Sequence, residues 1–552
     1  MKIRIFSCLA LAFIMTLSGC MKDDLEDLQN QIDDLNTKVD DLEQAQQEAL
    51  LAAIANLEAS LAALNSDLVE DLQLLEQEIA ENANAVYYGN VITAADYDSL
   101  VAQGATIITG KVVVNNDGNV QDLAGIKLIG KDLEINDGTA ITMESLQSIG
   151  EDLIISGVAT EASVNLANLS SIGGDFHVLS NDGLTEIVMD ELVLVSGELM
   201  TETNDMLTKI SFAKLDQVDD LYINGRLTED PNYLFFGQIT YLDLSATDVS
   251  NDVMVSYIGN APSATFGKVG GDFEFRNNLI VSLDVASPTV GGDFIIESNA
   301  RLTSIETSMI ESIEGNIKFL YNDNSIFWEE TERSGLTAIP SFEALTFIGG
   351  NIEITSNKAI STIEAFNNVT EMTGSNIKFE SNGSNIDNIL VFNSLVSSGA
   401  SQWSNASVRI YEKTNWFDGF NAIENLLNVD ITVQAPTEAG GGFGPFEVGG
   451  PVKVDGFNAL TQVSTMKLNV MEINEFNAFQ SMDNFQNFQE YLTVYMPTDE
   501  TVGMCSMEPI FTKIKNGDFE NWNGTRVAKF YMNYSEMDRD AAIDQLLAPC
   551  AL

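Results

Sequence analysis

The sequence predicts a mainly β protein in which parallel coils stack on one another behind one long α-helix. A short motif built from an aliphatic residue, glycine and an acid or amide recurs through residues 105–496. Residues 25–85 instead repeat apolar side chains in steps of three and four, the spacing of a coiled coil. Hydrophobic residues make up 45% of the 552, which is enough to form a large core and excludes a disordered acidic polymer.

Each repeat predicts one coil with a strand after the glycine. Ile149-Gly150-Glu151-Asp152-Leu153 and Val269-Gly270-Gly271-Asp272-Phe273 are typical copies. The glycine is predicted to allow a backbone conformation that a side chain would obstruct, which turns the chain into the strand. The first residues of the early strands are predicted every 20 to 23 positions, at Leu133, Leu153, Phe176, Leu199, Leu221 and Leu242. Since one coil cannot bury its own apolar face, we expect the coils to stack.

An asparagine recurs five positions after the first strand residue. Its amide is suited to satisfy backbone groups at a tight turn, and stacked turns would align such amides in a ladder. The predicted structural ladder consists of Asn181, Asn204, Asn278, Asn299, Asn322, Asn357 and Asn382.

This pattern of alternating apolar residues followed by Asn resembles a leucine-rich repeat. The Gly-Gly-Asp lead and the long, irregular coils look more like the receptor L-domain class, whose fold is a right-handed parallel β-helix. The resemblance covers about residues 105 to 500. It implies ligand or partner binding and transfers no individual site residue. The Gly-Asp lead is missing at Thr240-Tyr241, and the repeats after Trp403 are degenerate.

A second motif places one phenylalanine in each later coil. Its members are Phe342, Phe366, Phe392, Phe420, Phe457 and Phe476. Apolar residues follow at a spacing that packs inward, which favours an internal aromatic stack over an exposed ladder for stacking ligands.

Residues 1–19 are predicted to be a lipoprotein signal peptide. Lys2 and Arg4 precede an apolar run too short to span a bilayer. Leu17-Ser18-Gly19-Cys20 resembles the lipobox of bacterial lipoproteins, which implies cleavage before Cys20 and lipidation of that residue. Residues 20–24 include Lys22-Asp23-Asp24, which resembles a surface-export signal of some Gram-negative lipoproteins, although the start of an acidic helix is an equal alternative. The expected location is the outer membrane, exposed at the cell surface.

Residues 25–85 are predicted to form a coiled-coil stalk. Residues 21–85 lack Pro and Gly and carry 17 acids against two lysines, so this helix is unsuited to lie on a membrane. One helix of this length would extend about 90 Å. Its apolar stripe predicts self-association as a dimer or trimer, with folding back onto the body as the alternative.

The net charge of −56, from 82 acids and 26 bases, argues against nucleic-acid partners. The one histidine, His177, is predicted on the outer face of a strand, which leaves little basis for histidine chemistry. The recurring Asp of the Gly-Gly-Asp lead is better explained by the coil turn than by catalysis. No metal site or cofactor is predicted, although the loops Asn115–Gly118 and Asn322–Asn324 leave calcium as a possibility.

The ends of the repeat region are predicted to be closed by caps. Residues 86–104 are interpreted as a linker and N-terminal cap, and residues 497–552 as a C-terminal cap. Cys505 and Cys550 both lie in the latter, and an extracellular location favours a disulfide between them over a metal site.

The predicted function is that of a lipid-anchored surface protein that binds or adheres to a glycan or protein and is not an enzyme. The alternatives are a carbohydrate-active β-helix enzyme (a polysaccharide lyase or glycoside hydrolase) and a structural spacer in the cell envelope. A flat face of exposed aromatic and Asn residues would favour binding, whereas an unpaired Asp, Lys and Arg cluster in a cleft would favour the enzyme.

Overall fold

Equivalent strands of successive repeats pair in parallel, because each coil brings its apolar residues back to the same position in the stack. The computed structural model describes residues 83–225, 237–240, 242–259, 261–323, 335–383, 386–398, 407–434, 453–469, 475–480, 487–496, 503–517, 528–532 and 535–551, with the single residues 77 and 473. The predicted signal peptide, Cys20, residues 20–24 and nearly all of the stalk lie outside these ranges.

The chain divides into two units, Met1–Thr247 and Asp248–Leu552. In the first unit the strands form three parallel sheets. Sheet one contains Val86–Tyr87, Ile107–Ile108, Leu128–Ile129, Ser148–Ile149, Ser171–Ile172, Leu194–Val195 and Gln217–Val218. Sheet two contains Val112–Val114, Leu133–Ile135, Leu153–Ser156, Phe176–Leu179, Glu198–Glu202 and Asp220–Asn224. Sheet three contains Ala140–Thr142, Ala162–Asn165, Leu184–Val188 and Lys209–Ser211.

The second unit repeats this arrangement with longer strands toward its end. The short strands Asp248–Val249, Thr289–Val290, Ser312–Ile313, Phe347–Ile348, Glu371–Met372 and Ser397–Ser398 lie at one corner. The main sheet contains Val253–Ser256, Phe273–Arg276, Phe294–Glu297, Ile317–Leu320, Ile352–Thr355, Asn376–Glu380, Ser407–Gly419, Asn425–Gln434, Gln462–Asn469, Asn487–Met496 and Ala528–Met532, and Ser535–Glu536 adds an antiparallel strand. The remaining strands are Ser263–Phe266, Ser282–Val285, Ser304–Glu306, Thr362–Ala365, Ile386–Val391, Lys453–Val454 and Glu475–Phe476.

The predicted strand register is confirmed for five of the six early strands. Leu133, Leu153, Phe176, Leu199 and Leu221 pair in sequence and are buried.

The sixth prediction, Leu242, is confirmed as the first residue of a buried strand, Leu242–Leu244, but this strand does not belong to sheet two. Thr240 N–H donates to Thr208 O at 2.9 Å, and the strand lies next to Lys209–Ser211, the last strand of sheet three. Instead, Val253 pairs with Phe273 in the main sheet of the second unit. The extra residues after Asn224 lengthen this coil, so counting a constant period selects the wrong strand.

The lead glycines are required by the spacing between coils. A Cβ on Gly270 or Gly291 would collide with the carbonyl oxygen of Ser250 or Gly270 in the preceding coil. The predicted obstruction of a side chain at these positions is therefore confirmed, and its cause is the close approach of the neighbouring coil, since neither glycine has a positive φ. The left-handed positions are occupied instead by larger residues, among them Ser298 at φ 57° and Phe366 at φ 62°.

Both ends of the repeat region extend beyond the predicted boundaries. Val86–Tyr87 pairs in parallel with Ile107–Ile108, so the predicted linker already contributes a strand. Ala528–Met532 pairs in parallel with residues 492–496, so the main sheet continues past residue 496.

The α-helices are Ala94–Gln103, Asp117–Asp122, Glu508–Asn516 and Arg539–Leu547, and the 3-10 helices are Ala83–Ala85, Cys505–Met507 and Ala548–Ala551. None of the described helices is long and apolar enough to cross a membrane.

Candidate functional site

The repeated asparagines form buried columns and therefore offer no binding surface. In the first unit, Asn181 Nδ2 donates to Ile155 O at 3.0 Å and to Asn204 Oδ1 at 2.8 Å. In the second unit, Asn299 repeats both contacts with Phe275 O (2.8 Å) and Asn322 Oδ1 (3.0 Å). Asn278, Asn357 and Asn382 complete this second column, and all seven asparagines are at most 6% exposed. The residue before each of them has a left-handed backbone, which turns the amide inward.

The second-unit column ends at a carboxylate. Asn382 N donates to Glu412 Oε2 at 3.0 Å, and Asn382 Nδ2 donates to Glu412 Oε1. Glu412 is 3% exposed. Burial raises its pKa to about 8, although the Asn382 hydrogen bonds and the Lys358 charge act in the opposite direction.

The phenylalanines form an internal stack, which excludes the exposed ladder. Ring centroids are 5.1 Å apart between Phe342 and Phe366 and again between Phe366 and Phe392. The stack continues through Phe420 and Phe457 to Phe479. All of these rings are at most 1% exposed.

Phe476, the predicted sixth member, is buried, and its ring stacks on that of Phe479 with centroids 6.1 Å apart. Phe476 lies in the strand Glu475–Phe476 and pairs with Val454, so Phe479 takes the position of the next ring in the column. Phe479 has the left-handed φ of 64° that the other members share. The next residue in several coils builds a second, half-buried amide ladder, in which Asn421 Nδ2 donates to Asn393 Oδ1 at 2.7 Å.

Cys505 and Cys550 are joined by a disulfide with a Cα–Cα distance of 5.4 Å. This bond connects the 3-10 helix Cys505–Met507 to the 3-10 helix Ala548–Ala551 across 45 residues of sequence. Cys20 lies outside the described residues.

The acidic residues and the histidine that were considered for catalysis or calcium binding make contacts within the fold. Asp272 Oδ1 accepts from Asp293 N at 2.6 Å, and Asp293 Oδ1 accepts from Asn316 N at 2.7 Å, so the lead carboxylates link consecutive coils. His177 is half-buried on the outer face, with Nε2 3.3 Å from Glu198 Oε1. Asp117 Oδ1 accepts from Thr139 N at 2.7 Å.

The outer face of the last strands of the main sheet carries a concentration of positive charge. We call the outward residues of segments 407–413, 428–432, 465–469, 493–495 and 529–531 the basic face. One row across its strands contains Arg409, Asp430, Lys467, Thr493 and Lys529. The next row contains Tyr411, Thr432, Asn469, Tyr495 and Tyr531. All of these side chains are exposed or half-buried.

Tyr411 organises the first part of the basic face. Its ring lies under the guanidinium of Arg409, with Cζ 4.3 Å from the ring centroid. Its hydroxyl donates to Asp430 Oδ2 and accepts from Lys467 Nζ at 2.9 Å. Burial acts to lower the pKa of Lys467, but the Tyr411 hydroxyl and the Asp430 carboxylate outweigh it and raise that pKa, so the lysine is charged at neutral pH.

The charge of the main sheet changes along the second unit. Four cations (Arg409, Lys413, Lys467 and Lys529) and one carboxylate (Asp430) give the basic face a net charge of +3. The outward residues of the four strands from Val253–Ser256 to Ile317–Leu320 include Glu274, Arg276, Glu297 and Lys318, which sum to zero. Sequence reasoning missed this face, because its residues are far apart in sequence and belong to the degenerate repeats.

A shallow depression lies over the strands Ser263–Phe266, Ser282–Val285 and Ser304–Glu306. Its charged groups are Asp284 and Glu306, and burial together with the Glu306 charge raises the pKa of Asp284. Within the described ranges no three His, Cys, Asp or Glu side chains are placed to hold a metal ion.

The chain matches no protein-family model, no curated protein and no solved structure.

Proposed function

We propose that this protein is a lipid-anchored surface protein that binds or adheres to an external ligand through a right-handed parallel β-solenoid raised on a coiled-coil stalk. The basic face is the observation that carries the binding function. It lies on one sheet, and it groups tyrosine, amide, hydroxyl and cationic side chains at the surface of a strongly acidic chain. A structural spacer would have no reason to keep such a face.

The anchor and location follow from the N-terminal motifs. Cys20 is the lipidated residue, the outer membrane is the location and the acidic stalk self-associates as a dimer or trimer. The receptor L-domain-like resemblance supports the solenoid form, as do the parallel in-register strands and the disulfide-linked C-terminal region.

The carbohydrate-active enzyme is the second candidate, and one observation favours it. Tyr411, Lys467 and Asp430 are hydrogen-bonded on one strand face, and tyrosine and lysine are side chains that move protons in catalysis. The same contacts engage the Tyr411 hydroxyl and the Lys467 ammonium with each other. We therefore favour binding.

Cells expressing the full-length protein should retain at least one member of a labelled glycan and protein panel, and cells expressing Cys20→Ala should not. The variant lacks the lipid, so it should appear in the soluble fraction, as fractionation and immunoblotting would show. Cys8→Ala is the matched control, because Cys8 is removed with the signal peptide. A Cys20→Ala protein that remains wholly in the membrane contradicts the anchor. Failure of wild-type cells to retain any panel member contradicts the binding function.

A further inference from the structure

We infer that the basic face binds an acidic polysaccharide, one that carries carboxylate or sulfate groups among its hydroxyls. This inference rests on the proposed binding function and names the class of ligand.

Charge complementarity is the first argument. The chain carries −56 overall, yet the basic face carries +3. Screening limits the reach of charges to about 8 Å at physiological ionic strength, so a ligand on this face responds mainly to the local charges. These are the cations of the face together with Asp430 and with Glu380, whose Oε1 lies 3.9 Å from Arg409 Nη2 on the neighbouring strand. An anionic ligand is attracted here and repelled by the acidic surface elsewhere, which directs it to one place.

The spacing of the cations is the second argument. Arg409, Lys467 and Lys529 occupy one row on alternate strands, separated by Asp430 and Thr493. Neighbouring strands are about 4.8 Å apart, so consecutive cations are about 10 Å apart in a line. Such a line suits an extended polymer with anionic groups at regular intervals.

The neutral side chains between the cations are the third argument. Asn428 donates to Ser407 Oγ at 2.8 Å, and Thr432, Asn469 and Thr493 present further amide and hydroxyl groups. These groups both donate and accept hydrogen bonds, as sugar hydroxyls do. An acidic polysaccharide carries both hydroxyls and anionic groups, so it can contact both the neutral polar side chains and the cations of the face.

Two other polyanions fit less well. Nucleic acid has dense charge, and the acidic remainder of the chain would repel it strongly. An acidic peptide offers few hydroxyls, and it cannot extend the sheet here, because these strands are already paired on both sides.

The test measures binding of polygalacturonate, dextran sulfate, neutral dextran and polyglutamate to the purified full-length protein in detergent. We expect one or both acidic polysaccharides to bind in a salt-sensitive way. The double variant Lys467→Gln/Lys529→Gln should weaken that binding at least tenfold. Lys318→Gln is the matched control, because Lys318 lies in the same row but outside the basic face, and it should change affinity less than twofold. Thermal melting would verify that the variants fold.

The outcomes separate this inference from the proposed function. Equal binding of neutral dextran, preferential binding of polyglutamate, or an equal loss in Lys318→Gln would each overturn the inference. If neither acidic polysaccharide binds while cells still retain another panel member, the inference fails and the binding function stands. If nothing binds in either assay, both fail.

Discussion

Replacing Glu412 with glutamine should stabilise the protein above neutral pH and remove most of its pH dependence between pH 5 and 8. The folded-state pKa is about 8 because the carboxyl is buried, whereas the ordinary value is 4.5. As pH rises, the Glu412 carboxyl therefore loses its proton at a lower pH in the unfolded chain than in the folded protein. Stability is full below the unfolded-state pKa and is lost as pH rises through the folded-state pKa, by about 5 kcal/mol in all.

Glutamine suits this position because its one side-chain oxygen can accept hydrogen bonds from both Asn382 N and Asn382 Nδ2. In an earlier step of the column, Asn322 Oδ1 accepts from both Asn299 N (3.2 Å) and Asn299 Nδ2 (3.0 Å). Chemical denaturation at pH 5 and pH 8 measures the effect. Glu353→Gln, an outward carboxylate on a nearby strand, is the control and should leave the pH dependence unchanged. A Glu412→Gln protein with the wild-type pH dependence would show that Glu412 does not cause it.

Phe366→Ala should lower the free energy of unfolding by about 3–5 kcal/mol. Phe366 is fully buried between Phe342 and Phe392, so its removal leaves a cavity and ends two ring contacts of 5.1 Å. Urea denaturation measures the loss. Phe347→Ala is the control, because Phe347 is half-buried and outside the stack, and it should cost clearly less. Equal losses in the two variants would show that the stack contributes no special stability.

The sequence predicted features that repeat with a regular spacing. The Asn columns and most of the Phe stack recur at fixed offsets, because each coil presents the same corner to its neighbours. Leu242 begins a strand of another sheet and Phe476 lies beside the column position, because an insertion or a degenerate repeat changes the offset while the local residue pattern remains plausible. The left-handed positions, such as Ser298 and Phe366, give no glycine signal, since larger residues occupy them.

Glu412 and the basic face were not predictable for a different reason. Glu412 replaces an asparagine where the strand Ser407–Gly419 runs straight through the corner, so the offset that identifies the column is lost. The cations of the basic face come from separate strands and repeat with no motif. Only the register of those strands brings Lys467 and Lys529 into one row.

The central claim is that the basic face holds a polysaccharide without cleaving it. Incubation of the full-length protein with polygalacturonate, followed by light-scattering measurement of polymer length over time, tests it most directly. We expect the polymer to be bound and to keep its length, and we expect Tyr411→Phe to leave that length unchanged. Progressive shortening by the wild-type protein that is lost in Tyr411→Phe would contradict the account and identify an enzyme.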